Sequence, residues 1–142
     1  PRPGADVLAD LEGRIDLVLV DAPCTGTGTW RRNPDAKWRI RPGSLAERVK
    51  EQAAILDDAV RFLKPGGRLV YVTCSVLDPE NGGQLRGLAE LRPELRLLSG
   101  AELLAGEGAP PEDAVIVRDE GLMLTPGRAG TDGFFIGSLV RV

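Results

Sequence analysis

Two short runs rich in β-branched residues constrain this chain more than anything else in it. They are Ile15 to Val20, broken only by Asp16, and Leu69-Val70-Tyr71-Val72-Thr73. Each has the length and composition of a buried strand. Each also leads to a cysteine: Cys74 follows the second run directly, and Cys24 follows the first after Asp21-Ala22-Pro23. Between the runs, Pro42-Gly43 breaks the chain, and Ser44 and Glu47 have the spacing of a capping box. Leu45, Val49, Ala53, Leu56, Val60 and Leu63 then recur at three- and four-residue steps. The spacing predicts a helix with an apolar face running through Leu63, terminated by Lys64-Pro65-Gly66-Gly67. Strand, helix, strand is a βαβ unit, whose parallel strands end on one edge of the sheet. Cys24 and Cys74 are therefore expected at the same mouth, the place where open α/β sheets bind ligands. Neighbouring strands lie about 4.8 Å apart, so the two sulfurs are expected within several ångströms of each other.

The rest of the chain carries weaker patterning. Asp6 to Leu11 reads as a short strand or the tail of a helix. Asp78-Pro79-Glu80 reads as a helix start, with Asp78 as cap and Pro79 at the first helical position. Gly82, Gly83 and Gly87 weaken that helix and Arg92-Pro93 ends it. Leu95 to Leu98 suits a short strand, and Ser99 to Ala114 a surface loop with at most one helical turn. Val115-Ile116-Val117 and Leu122-Met123-Leu124 flank Asp119-Glu120-Gly121 as a hairpin would, and Gly133 to Val142 reads as the final strand. The fold class is α/β.

At 142 residues, the chain fits one domain with a real core. It has no apolar run near the roughly 18 residues of a membrane helix, and no cationic-then-apolar leader. Two cysteines and no histidine argue against a disulfide framework and against a zinc site. A cytoplasmic protein without a metal or a membrane partner is expected. Charge is unevenly placed. Residues 30 to 50 hold seven basic residues against two acidic ones, a local charge of +5, whereas the remainder holds eleven basic and nineteen acidic, or −8. Such a patch suits a polyanion bound at one place, or is simply a solvated basic loop.

A cysteine at a strand end is more often a small buried hydrophobe than a nucleophile. Here two are expected to meet, and they serve either covalent chemistry or a redox pair, although neither lies in a C-x-x-C spacing. Thr25-Gly26-Thr27-Gly28 follows a strand without opening a helix, which argues against a dinucleotide fingerprint. Trp30 and Trp38 flank the basic residues, where they either stack on bases or anchor the loop to the core.

Four segments in order give a resemblance. They are Asp-Ala-Pro-Cys-Thr-Gly-Thr-Gly at 21–28, Arg-Arg-Asn-Pro-Asp-Ala-Lys-Trp-Arg at 31–39, Tyr-Val-Thr-Cys-Ser with Glu80-Asn81 beyond it, and Gly-Thr-Asp-Gly-Phe-Phe at 130–135. Together, from about Asp16 to the carboxyl end, they closely resemble the Sun/Fmu-type RNA cytosine-5 methyltransferases, above all the bacterial members acting on small-subunit ribosomal RNA.

The resemblance implies a partial Rossmann-like S-adenosyl-L-methionine-dependent methyltransferase fold, with parallel central strands and an antiparallel final strand beside the Cys74 strand. It also implies RNA as partner, with transfer RNA as an alternative substrate to ribosomal RNA. Carbon 5 of cytosine is a poor nucleophile until a thiolate adds at carbon 6. The resemblance assigns that attack to Cys74 and product release to Cys24. Asp21 would recognise the ring nitrogen and exocyclic amine, and Pro23 would shape the turn and share edge contacts to the cofactor with Asp21. Arg31, Arg32, Lys37 and Arg39 would contact RNA phosphate. The reverse order of thiols, used by DNA cytosine methyltransferases, stays open.

Two departures qualify the likeness. The family's cofactor loop, its ribose-binding acid and its amino-terminal RNA-binding domain have no counterpart here. The chain therefore reads as the carboxyl-terminal half of a catalytic domain cut from a longer protein, inactive alone or at most an RNA-binding module. The family also tends to place a second acidic residue after the asparagine, where this chain has Gly82.

Overall fold

In the computed structural model, which describes residues 8–142, a six-stranded sheet carries its main helices against one face. Asp6 and Val7 lie outside the described residues, and Ala9–Leu11 forms a single 3₁₀ turn. Strand β1 (Ile15–Asp21) pairs in parallel with β2 (Leu63–Thr73), and helix α1 (Ser44–Val60) connects them. The last strand, β6 (Phe134–Arg141), runs antiparallel to β2 with Thr73 opposite Phe135. Beyond β6 lie β3 (Leu95–Leu98) along one half of its length and β5 (Gly121–Leu124) along the other. A hairpin joins β5 to the edge strand β4 (Val115–Arg118). Strands β1, β2, β3 and β5 thus share one direction, and β6 and β4 oppose it.

Strand alternation places the core. Val18 and Val20 of β1 share a face with Leu69, Tyr71 and Thr73 of β2, and that face meets Leu56, Ala59 and Val60 of α1 and Leu85 and Leu88 of α2 (Gly82–Leu91). The Tyr71 and Phe135 rings meet edge to face, with centroids 6.4 Å apart. No helix of the described residues covers the opposite face of β1: Leu17 is 57% exposed and Leu19 65%.

Several local expectations need correction. Ser44 does not cap α1. Gly43, at φ 90°, occupies the cap position, and the Ser44 hydroxyl accepts from the Arg41 N–H at 3.2 Å instead. Ala53 faces solvent, and Leu63 lies outside the helix, as the first residue of β2. Lys64 to Gly67 do not separate helix from strand but bulge out within β2, where pairing passes from Ile15–Leu63 directly to Leu17–Arg68. Asp78–Glu80 is a 3₁₀ turn, and the α-helix begins only at Gly82. The segment after β3 holds α3 (Gly100–Leu104), rather more than a single turn, and a further 3₁₀ turn at Glu112–Ala114. A short helix, α4 (Pro126–Ala129), precedes β6.

The capping box sits on α3. Ser99 Oγ accepts the Glu102 N–H at 3.2 Å while the Glu102 carboxylate accepts the Ser99 N–H at 2.8 Å. The Ser99 backbone N–H first, then Arg96 and the Ser99 hydroxyl, hold the Glu102 carboxyl down to about 2. A carboxyl depressed in the folded state stabilises above its unfolded value, near 4.3, and that contribution disappears as pH falls through 2. Glu102→Gln is accordingly expected to narrow the stability difference between pH 6 and pH 2 in denaturant titrations. An unchanged difference would show that the box contributes nothing to acid sensitivity.

Candidate active site

The carboxyl ends of β1 and β2 form the mouth. Ala22 N–H extends the ladder by one bond to Val72 O at 3.0 Å, after which the two chains separate into the loops bearing the thiols. Cys24 and Cys74 are both free and half-buried, and their sulfurs lie 3.3 Å apart. Burial pushes the Cys24 thiol up to about 12, and its hydrogen bond with Cys74 adds to the effect. Cys24 therefore keeps its proton, and its S–H can donate to the Cys74 sulfur. Asp21 ends β1 with an exposed carboxylate that takes no hydrogen bond among the described residues.

Beneath the thiols lies Glu80, wholly buried. Its Oε1 accepts from Thr25 N at 2.8 Å and Gln52 Nε2 at 3.1 Å, and its Oε2 from Thr25 Oγ1 at 2.6 Å and Ser75 Oγ at 2.5 Å. Thr25 follows Cys24 and Ser75 follows Cys74, so one carboxylate joins both cysteine loops. Gln52 of α1 also donates to Pro23 O at 2.8 Å, fixing the turn before Cys24. Tyr71 O–H donates to Glu80 O at 2.7 Å, and burial, followed by the Glu80 charge, raises its phenol above the ordinary value. Asn81 donates to Ser75 O at 2.9 Å and accepts from the Thr73 hydroxyl.

The two glycine-bearing motifs close the site from the other side. Gly28 N–H donates to Cys74 O at 2.9 Å, and Gly133 N–H to Gly28 O at 2.8 Å. A Cβ on Gly28 would stand 2.1 Å from Gly133 O, so backbone passes there at a distance no side chain permits. Asp132, next to Gly133 and buried, accepts from Arg32 Nε at 2.9 Å and pairs with Arg31 at 3.6 Å.

The basic loop folds back in part. Arg31 and Arg32 pair with Asp132, and Arg39 with Asp35. Both Asp132 partners nonetheless remain largely solvent-facing, Arg31 at 54% and Arg32 at 65%. Trp38 is 81% exposed with Lys37 over its ring at 5.0 Å, so it does not anchor the loop to the core. A cleft of about 280 Å³ runs from Cys24 and Thr25 to Arg39, Ser44 and Arg48.

The structure thus brings Cys24 and Cys74 together, with Pro23 in the turn before Cys24 and Asp21 at the end of β1, and sets Arg31, Arg32, Lys37 and Arg39 on the adjoining loop. Sequence reading missed Gln52, Glu80 and Asp132 as parts of this site. Gln52 had a signal: it stands on the buried stripe of α1 where an apolar residue belongs. No three His, Cys, Asp or Glu side chains among the described residues cluster as a metal ion would need. No helix among them is long and apolar enough to cross a membrane.

Compared with known proteins, residues 5–140 match the family described as 16S rRNA methyltransferase RsmB/F. The chain is 40% identical over 130 residues to ribosomal RNA small subunit methyltransferase B of Salmonella arizonae, which covers 92% of this chain and 27% of that protein. Among solved structures, it is similar to PH0851, with 35% identity, a TM-score of 0.75, and coverage of 90% of this chain and 27% of that one. It is also similar to NSun6 from Pyrococcus horikoshii with SFG, at 27% identity and a TM-score of 0.61 over 87% of this chain and 29% of that one. The chain spans about a quarter of the length of the curated relatives it matches.

Proposed function

The chain belongs to the 16S rRNA methyltransferase RsmB/F family, and from that premise we propose that it is the carboxyl-terminal half of the catalytic domain of a cytoplasmic RNA cytosine-5 methyltransferase. The observation that carries the reading is the pair of sulfurs 3.3 Å apart at one sheet mouth, one of which keeps its proton. Cys74, as thiolate, adds to carbon 6 of a cytosine turned out of its stack, and the Cys24 S–H donates to the attacking sulfur before it reacts. The carbon 5–carbon 6 bond becomes an enamine whose carbon 5 is nucleophilic. Asp21, without a hydrogen bond among the described residues, accepts from the exocyclic amine, and a proton shared between its carboxyl group and the ring nitrogen neutralises the charge that develops there. Once carbon 5 is methylated, a base takes its proton, the carbon–hydrogen electron pair restores the carbon 5–carbon 6 double bond, Cys74 leaves as thiolate, and Cys24 assists release.

S-adenosyl-L-methionine supplies the methyl group. The donors present fit only its edge: the free carboxylate of Asp21 and the Pro23 turn lie at the end of the edge strand. The remaining cofactor contacts belong to other parts of the parent protein. Leu17 and Leu19, exposed among the described residues, favour a second reading for the isolated chain, that of an inactive piece able at most to bind RNA.

The test incubates the parent protein with ribosomal RNA and methyl-labelled cofactor, and digests the RNA to nucleosides. Label in 5-methylcytidine is expected; label elsewhere, or in transfer RNA alone, overturns the corresponding part of the proposal. Calorimetry of residues 1–142 with the cofactor is expected to show no appreciable heat.

Arg31, Arg32, Lys37 and Arg39 are assigned to RNA phosphate. Each phosphate contact on a single strand contributes about 0.7 to the slope of log affinity against log salt, so removing Arg31 and Arg32 together is expected to lower that slope by about 1.4. An unchanged slope would mean that both arginines serve only to hold Asp132.

A further inference from the structure

The roles proposed above use Cys24 and Cys74 as separate thiols, but their placement carries a second chemistry. Sulfurs 3.3 Å apart need to approach by little more than 1 Å to reach the roughly 2.0 Å of a disulfide. The backbones that carry them are held in register: Gly28 N–H binds Cys74 O, Gln52 binds Pro23 O, and Glu80 binds the residue after each cysteine. Closure therefore brings together positions already fixed side by side. Both thiols are half-buried rather than sealed, and the cleft that Cys24 lines opens toward Arg39 and Arg48.

We propose that Cys24 and Cys74 form a reversible oxidation site, closed to an intramolecular disulfide by a small hydroperoxide. Cys74 gives up its proton and attacks the outer oxygen of the peroxide. The oxygen–oxygen bond breaks, an alcohol or water leaves with that proton, and Cys74 carries a sulfenic acid. The Cys24 sulfur then attacks the Cys74 sulfur. The sulfur–sulfur bond forms, and hydroxide leaves and takes the Cys24 proton as water. Two thiols are oxidised by two electrons in all, and one peroxide is reduced by the same two. Cys74 reacts first because Cys24 holds its proton too firmly to supply the initial thiolate. The oxidised form has neither thiol for a base, a consequence that rests on the roles proposed above; the disulfide itself does not.

The test needs no RNA and no cofactor. Residues 1–142 are treated with hydrogen peroxide and followed by intact mass, free-thiol titration and peptide mapping under non-reducing conditions. A mass lower by two hydrogens, loss of both titratable thiols, a peptide linking Cys24 to Cys74, and recovery of both thiols with dithiothreitol are expected. Cys24→Ser is expected to halt at a sulfenic acid on Cys74, trapped by dimedone. Mass gain by oxygen without a linked peptide, linkage only between chains, or two intact thiols after treatment would each overturn the proposal. In the parent protein, peroxide is then expected to abolish the covalent RNA adduct, and dithiothreitol to restore it. A linked peptide on the short chain with an adduct that survives oxidation would uphold the disulfide and sink the thiol roles instead.

Discussion

Cys74→Ala in the parent enzyme is expected to remove the covalent RNA adduct and turnover together, whereas Cys24→Ala forms the adduct and stalls. The two sulfurs lie 3.3 Å apart, in hydrogen-bond contact. Burial holds the Cys24 thiol in its neutral form, in keeping with the roles proposed above, in which Cys24 is a donor and Cys74 attacks. Removing the attacking sulfur leaves no route to the enamine. Removing its partner leaves attack and methylation possible, but not the ordered departure of the product, since the sulfur–carbon bond breaks only after the proton on carbon 5 has been taken. A denaturing gel of each variant with labelled RNA reads the difference: no shifted band for Cys74→Ala, and a persistent one for Cys24→Ala. The opposite pattern assigns the nucleophile to Cys24, as in the DNA enzymes.

The parts of this site that were legible in the sequence are those with local causes. Apolar periodicity located β1, α1 and β2. The parallel βαβ rule then put both cysteines at one mouth, where their sulfurs lie 3.3 Å apart. The pairing of β6 with β2 was legible only through the family resemblance, because nothing in a run such as Phe134-Phe135-Ile136 names its neighbour. Caps were misread for a physical reason. Ser44/Glu47 and Ser99/Glu102 have identical spacing, but Gly43 takes up the left-handed conformation that lets the first helix start one residue earlier, leaving Ser44 inside it. In the basic loop the pairing with Asp132 is not legible, since Asp132 stands a hundred residues away from the arginine it holds. Glu80 reads in the sequence as a helix-start residue, its usual role beside Asp-Pro. Its burial depends on Thr25, Gln52 and Ser75, which converge only after the sheet has formed.

Glu80→Ala is expected to be strongly destabilising, since each buried donor that it leaves unsatisfied costs about 1–3 kcal/mol. Both carboxylate oxygens are saturated, with two donors each, and none of the side chain is exposed. Hydrogen bonds to a charged acceptor are stronger than neutral ones, which offsets the cost of taking the carboxylate out of water. Alanine leaves Thr25 N–H without an acceptor inside the protein and opens a space where the two cysteine loops are joined. Glu80→Gln separates charge from shape. The amide fills the same volume and keeps one acceptor oxygen for Thr25 N–H and Gln52, while its NH₂ group meets the Thr25 and Ser75 hydroxyls, which can turn to accept. The charge-assisted part of the four bonds is then lost, while every partner keeps a hydrogen bond. Urea denaturation of residues 1–142 should therefore rank wild type above Glu80→Gln above Glu80→Ala. A double-mutant cycle between Glu80→Ala and Ser75→Ala supplies the coupling that stability alone does not, with an interaction energy of about 0.5–3 kcal/mol expected for residues sharing one network. Additive losses in that cycle would show that Glu80 fills space under the thiols without tying Ser75, and through it Cys74, to the loop that carries Cys24.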